Sequence, residues 1–367
     1  LIHLLYIKIA KKIFFKIDPE IVHNYTTNLG FILGSNYLTK KVTKALFYYK
    51  NKKLEQNISG IDFKNPVGLS AGFDYEAKLT KILPSLSFGF ETIGTITNNP
   101  YGGNIKPMLG RLPKSKSLMV NKGFKNQGVR KVVVKLENYN FEIPIGISIG
   151  RTNSKEKMNQ KEAVQDIVEA FKVVENSKVK FSYYELNISC PNLYGNINFY
   201  NSEKLRDLLA AVTKLKLKKP LFIKMPINET NEDTIKMLDV IISFPVKGVI
   251  FGNLQKDRND PAFVKEEVKK FKVGNFSGKP TEKRSNELIQ LAYKKYGKKL
   301  IIIGCGGVFS AEDAYKKVKL GASLVQLITG MIYEGPQLIS EINQGLVKLL
   351  EKDNFNNISE AIGKENN

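Results

Sequence analysis

The stretch Glu185-Leu186-Asn187-Ile188-Ser189-Cys190-Pro191-Asn192 sets a thiol between two side-chain amides. The residues before it, Phe181 to Leu186, are apolar and aromatic with β-favouring types. Pro191 then forbids a strand from continuing. Asn187, Cys190 and Asn192 are therefore expected at a strand's C-terminal end, pointing at a common space, which is where an α/β barrel does its chemistry. A second candidate is Lys224 in Phe222-Ile223-Lys224-Met225-Pro226, a cation ending an otherwise apolar strand. Charged side chains are rarely buried unless paired, so Lys224 is expected to face a bound ligand. Ser70-Ala71-Gly72-Phe73-Asp74 ends an earlier strand with small residues that let a flat ring lie close. Gly304-Cys305-Gly306-Gly307 follows another strand and precedes Ser310, a plausible helix cap. Glycines admit close approach of the backbone to an anion, and helix N-terminal amides bind phosphate. Gly321 to Gly330 adds a second glycine-bounded segment at the chain's end. Either cluster alone reads as a turn; together, in the last two strand positions, they read as a phosphate site.

These residues need a scaffold that gathers strand ends. Strands are expected at Val67–Ser70, Glu91–Ile96, Ile145–Ile149, Tyr183–Ile188, Leu221–Met225, Gly248–Phe251, Leu300–Ile303 and Leu324–Ile328. They are short, apolar and bounded by Gly, Pro or Asn, as buried parallel strands are. Helical segments separate them, among them Glu162–Glu175, Ser202–Lys214, Asn231–Ile242, Ser285–Tyr296 and Ala311–Lys319. Eight strands with intervening helices predict a (β/α)8 TIM barrel, with a doubly wound open sheet as the alternative. A hairpin over Leu54–Phe63, turning near Ser59-Gly60, precedes it.

The chain has 367 residues, 42% of them hydrophobic, enough for a sizeable core. Its two cysteines, Cys190 and Cys305, make no disulfide framework and point to a reducing compartment. The net charge of +22 invites a nucleic-acid reading, but the lysines are spread along the chain, so no nucleic-acid partner is expected. An anionic membrane surface fits better, because of the N-terminus. In Leu1–Lys16, Lys8, Lys12 and Lys16 form one row, while Ile2, Leu5, Ile9 and Ile13 form another. Such a segment suits a membrane interface, or equally a helix packed on the protein. Asp18-Pro19-Glu20 starts a second helix, with Asp as N-cap and Pro at the first helical position; His23 lies one turn in. The expected division is a helical region, 1–53, and a barrel, 54–367. No apolar run is long enough to span a bilayer.

Taken in order, the motifs resemble those of the dihydroorotate dehydrogenase family, specifically its membrane-associated, quinone-reducing class 2. The resemblance is carried by Asp18-Pro19-Glu20 with His23, Asn65 to Asp74, Ile93-Gly94-Thr95-Ile96-Thr97, Arg111-Leu112-Pro113, Asn187 to Asn192, Phe276 to Pro280, Gly304 to Gly307 and Gly321 to Gln326. It implies FMN-dependent oxidation of dihydroorotate to orotate, with hydride leaving C6 for the flavin, a base taking the C5 proton, and a quinone accepting the electrons. By matched position it implies FMN contacts from Ala71, Gly72, Thr95, Ser148, Asn187, Lys224, Gly252, Gly278, Gly307, Ile328 and Thr329. It implies substrate contacts from Asn121, Gly123, Phe124, Asn126, Asn187, Asn192 and Asn253, and quinone contacts from His23 and Arg111. It further implies a monomer held peripherally on the cytoplasmic side of the cell membrane, with no metal.

The sequence departs from the class 2 pattern at several places. The class 2 base is a serine; here Cys190 stands there, as in the soluble class 1 enzymes. A free thiol titrates near pH 8.5, and Lys224 nearby is expected to lower that further. Tyr75 replaces the lysine that usually follows Gly-Phe-Asp, and Ser148 replaces the third-strand Asn. Gly252-Asn253-Leu254 stands in place of Thr-Asn-Thr. In the substrate loop Val120 takes the place of the first Asn unless a local shift restores Asn121, and Lys125-Asn126 follows Phe124. Lys78, Lys122 or Lys125 is then expected to compensate for the lost polar groups. Two alternatives stay open: a related flavin enzyme with another substrate or acceptor, such as fumarate or a nicotinamide nucleotide, and a non-catalytic membrane-surface protein.

Overall fold

Short strands that are apolar on both faces can be satisfied only between a packed interior and a shell of helices. The computed structural model, which describes residues 2–154, 158–195 and 197–366, has this arrangement. In chain order the strands are β1 (Gln56–Ile58), β2 (Ile61–Phe63), β3 (Val67–Leu69), β4 (Phe90–Ile96), β5 (Leu109–Leu112), β6 (Ser117–Val120), β7 (Ile145–Ile149), β8 (Tyr183–Asn187), β9 (Leu221–Met225), β10 (Gly248–Phe251), β11 (Asn275–Phe276), β12 (Ile301–Cys305) and β13 (Leu324–Leu327). Eight of them close a parallel barrel in the order β3-β4-β7-β8-β9-β10-β12-β13, with β13 pairing back onto β3. The predicted strands are these eight, shifted by at most two residues at an end. The outward side chains pack against the surrounding helices, such as Gln160–Glu175 and Leu338–Lys352, to form the main core.

The period of two along a strand decides what the barrel holds at each level. On β8, Tyr183 points into the lower interior with Phe90, Phe222 and Leu324. Glu185 comes next, then Asn187 at the top. On β9 the same alternation carries Phe222 below and Lys224 above. The β1–β2 hairpin, with Ser59 and Gly60 both at positive φ, closes the bottom by adding Ile58 and Phe63 to the aromatic layer.

Two additions sit on the barrel. Strands β5, β6 and β11 form a three-stranded antiparallel sheet, which is not among the elements expected from sequence. It rests on Phe263, Val268 and Phe271. The N-terminal segment forms helices. Pro19–Ser35 begins as expected, the Asp18 carboxylate accepting from the amides of Glu20 (2.9 Å) and Ile21 (3.1 Å). Asn36 caps Tyr37–Phe47 in the same way. The single helix expected over Leu1–Lys16 is instead Ile2–Leu5, a wider π-helical turn Tyr6–Ala10, and Lys11–Phe14. Leu1 lies outside the described residues. The wide turn begins at Tyr6, whose hydroxyl is tied to the Ile332 carbonyl at 2.6 Å.

Candidate active site

The barrel's upper end, the accessory sheet and the N-terminal helices enclose a cavity of about 560 Å³. Asn187, Cys190, Asn192, Lys224 and Asn253 line one part of it. Tyr6, Phe15, Val22, His23, Leu29 and Arg111 line another, most of it apolar. Between them run Ala71, Gly72 and Thr95, with Ile328 and Thr329. Gly72 has φ +113°, and a Cβ there would meet only the Ile328 side chain, at 3.8 Å. The backbone strip Ala71-Gly72 thus leaves room at its surface for a flat group.

Lys224 is 4% exposed, and its ammonium donates to the Ser70 hydroxyl at 2.9 Å. Among the described residues no carboxylate lies within ion-pair reach, so this buried cation is left for a ligand. Asn187 Nδ2 donates to Thr95 Oγ1 (2.8 Å), and its Oδ1 accepts from the amide and hydroxyl of Ser189. Asn253 Nδ2 donates to the same Ser189 hydroxyl. The Cys190 loop is clasped to the accessory sheet: Asn192 Nδ2 donates to the Val120 carbonyl (2.8 Å), and its Oδ1 accepts from Asn275 (2.7 Å). The unanticipated sheet is therefore what fixes the height of the thiol above the barrel.

The expectation of a thiol near or below its ordinary range is not met. Burial pushes Cys190 up to about 11, against opposing pulls from the Asn192 amide, Arg151, Lys224 and Lys256. Arg151 and Lys256 line a second, smaller cavity behind the cysteine, which Cys190 and Asn187 also border. No reading of the sequence singled them out, because they come from the loops after β7 and β10 and meet only in the folded barrel.

Several predicted contacts lie away from the main cavity. Ser148 is fully buried one layer behind Thr95, bonded to its hydroxyl (2.9 Å) and donating to Glu185 (2.7 Å). Its short side chain ends there and does not reach the lining. Asn121 turns away to accept from Asn104 and donate to the Ile105 carbonyl, while Val120 lines the cavity. The local shift that would bring Asn121 into the site does not occur. Asn126 organises its own loop, bonding Thr97, the Phe124 carbonyl and the Gly128 amide. Gly252, Gly278 and Gly307 stand behind the lining, against the Cys305 carbonyl, the Lys116 carbonyl and Glu282 respectively. Gly123 and Phe124 do line it.

Of the three lysines expected to compensate, Lys78 pairs with Glu76 (2.8 Å) and Lys125 with Glu20 (2.9 Å). Lys122 lines the cavity at 7% exposure, its ammonium 3.3 Å from the Tyr75 hydroxyl and 4.4 Å from the ring centroid. Tyr75 stacks on His23, which meets Phe73 edge-on at 5.0 Å. Burial and the neighbouring lysines hold His23 neutral, down to about 2. Arg111 lies over the Phe15 ring and donates to the Ile17 carbonyl.

Comparison with known proteins agrees with this geometry. Residues 53–350 match the family model described as dihydroorotate dehydrogenase. The chain is 35% identical over 369 residues to a dihydroorotate dehydrogenase (quinone) from Trichodesmium erythraeum, covering 96% of this chain and 95% of that protein. It is 37% identical over 352 residues to one from Christiangramia forsetii, covering 95% and 99%. Among solved structures it is similar to Eimeria tenella DHODH in complex with ferulenol, with a TM-score of 0.82 and 28% identity over 95% of this chain and 96% of that one.

Proposed function

The chain belongs to the dihydroorotate dehydrogenase family, and on that footing we propose that it oxidises dihydroorotate to orotate and passes the electrons to a quinone, the redox step of pyrimidine synthesis. The observation that carries this is one cavity bordered both by the Cys190 loop and by the apolar helical wall holding His23 and Arg111.

The cofactor is FMN, and the residues present fit it. The open strip at Ala71 and Gly72 accommodates a flat ring, with Thr95, Asn187, Ile328 and Thr329 around it. Lys224 supplies a buried positive charge, which suits an electron-rich ring. By matched position, Gly278 and Gly307 would serve its phosphate. When bound, FMN would supply the hydride acceptor for C6 and the electron donor for the quinone. The chain's own groups do the rest. Cys190 takes the C5 proton. Asn187, Asn192 and Asn253 hold the substrate's carboxylate and amide groups, between Gly123 and Phe124 of the loop above. Asn192 and Asn253 exchange a protein partner for substrate as they do so.

The division into a helical region, 1–53, and an FMN barrel, 54–367, belongs to the same reading. Among the described residues no helix is long and apolar enough to cross a membrane. We place the protein as a monomer, peripherally bound at the cytoplasmic side of the membrane, against anionic lipid. The support is the surface: among the described residues, most of the large hydrophobic side chains left exposed fall between Leu4 and Leu46. The test is spectroscopic. Purified protein should be yellow, anaerobic dihydroorotate should bleach it, and a short-chain quinone should restore the colour. A flavin that dihydroorotate leaves oxidised refutes the assignment.

A further inference from the structure

Lys122 is a cation without an ionic partner in a place where one is needed. It is buried, and among the described residues no carboxylate lies within ion-pair distance, although Lys78 and Lys125, which share its neighbourhood around His23, each have one. Taking an ammonium out of water without a paired anion costs several kcal/mol, of which a tyrosine hydroxyl and ring face return only part. Such an uncompensated charge facing a cavity marks a place where something else completes it.

Its neighbours say which part of the cavity it serves. Lys122 sits over Tyr75, Tyr75 stacks on His23 at 5.5 Å, and His23 belongs to the helix Pro19–Ser35. The row Lys122-Tyr75-His23 therefore forms the inner end of the helical, apolar portion. Resting on the quinone reading above, we propose that Lys122 binds a carbonyl oxygen of the quinone head group and gives it a proton as it is reduced.

The exchange balances without another reactant. Dihydroorotate loses two electrons and two protons, and the quinone takes up two of each. At Lys122 an N–H bond breaks as an O–H bond forms on the quinone oxygen, and the neutral amine regains a proton from water. The second quinone oxygen takes its proton from water. Water is repaid by two protons, the one Cys190 took from C5 and the one that left C6 as hydride and is set free once its electrons have passed to the quinone. The other polar groups on this wall are poorer donors. His23 is held neutral, and burial drives the Tyr75 hydroxyl well above its ordinary range. Arg111 carries a guanidinium that keeps its protons. Burial brings Lys122 down to about 8, so it is charged at neutral pH and still able to release a proton.

The test separates the half-reactions in the FMN-loaded protein by stopped flow. In Lys122→Met, FMN content and dihydroorotate-driven bleaching should stay within about twofold of the parent, while reoxidation by a short-chain benzoquinone should fall by about tenfold or more. Reoxidation by ferricyanide, which takes an electron and no proton, should not change. Lys122→Arg should restore quinone binding, read as KM, but not the rate, and the solvent deuterium isotope effect on quinone reduction should be lost in both variants. Unchanged quinone reoxidation in Lys122→Met overturns the proposal, as does a loss confined to the KM for dihydroorotate, which would put Lys122 on the substrate side. A parent protein whose reduced flavin no quinone reoxidises would instead refute the acceptor reading itself.

Discussion

At the scale of single residues, the proposed chemistry turns on the thiol of Cys190. Its spacing between Asn187 and Asn192 could be read from the chain, because a strand end followed by proline fixes where those three side chains point. Its acidity could not, because the desolvation comes from a loop folded against the accessory sheet and the opposing charges come from Lys224 on β9 and from Arg151 and Lys256 in the loops after β7 and β10. A thiol held near 11 is almost wholly protonated at neutral pH, with a thiolate fraction on the order of one in ten thousand. The base form grows as pH rises. The rate of flavin reduction by dihydroorotate should therefore climb through the alkaline range, and not level off near neutrality as an activated cysteine would. Cys190→Ala should lower that rate by about 10²- to 10⁴-fold with FMN retained. Cys190→Ser should move the rising limb to still higher pH, because a hydroxyl holds its proton more tightly. A pH-independent bleaching rate in the parent, measured from pH 6 to 10, roughly the span between ordinary His and Lys titration, would exclude the thiol as the base.

At the scale of elements, the barrel was legible and its attachments were not. Eight apolar runs bounded by Gly, Pro and Asn carry their own signature, and Tyr183-Glu185-Asn187 on one strand already encodes bottom, middle and top of the interior. The sheet of β5, β6 and β11 has no such signature, since strands of two to four residues only become strands once paired. Asn121 and Asn126 are positioned in the same way, held by Asn104, Thr97 and a neighbouring carbonyl that local sequence does not announce. The docking of Pro19–Ser35 onto the barrel can be tested at Gly34. A Cβ there would already lie 3.0 Å from the Ile82 amide nitrogen and 3.1 Å from Lys81 Cβ. Gly34→Val should push the helix outward at a cost of about 1–3 kcal/mol, read as a lower Tm. It should slow reoxidation by quinone several-fold, because His23 rides on that helix, and leave bleaching by dihydroorotate nearly intact. Equal loss in both half-reactions would mean that the helix supports the whole site and not one side of it.

At the scale of the whole molecule, charge and apolar surface fall together. The net charge of +22 has no block structure along the chain, yet Ile9, Ile13, Ile32, Leu38 and Val42 stay more than half exposed in a region that also carries Lys8, Lys12, Lys16, Lys41 and Lys44. Exposed side chains of this kind cost solubility unless a surface receives them. Helices lying on a bilayer meet that need: apolar residues enter the acyl boundary while lysines meet anionic head groups, each contributing about 1 kcal/mol. Because these same helices wall the cavity, such a pose would let a lipid-soluble acceptor enter without crossing water. The protein should co-sediment with vesicles containing phosphatidylserine, more weakly with neutral vesicles, and the difference should shrink as salt shortens the reach of the charges. Ile9→Asp combined with Ile32→Asp should abolish binding to both kinds of vesicle while leaving turnover with a water-soluble quinone unchanged. Turnover with a long-chain quinone embedded in the vesicles should then fall with the bound fraction. If the doubly substituted protein still reduces the embedded quinone at the parent rate, the helical face is not its route to the membrane.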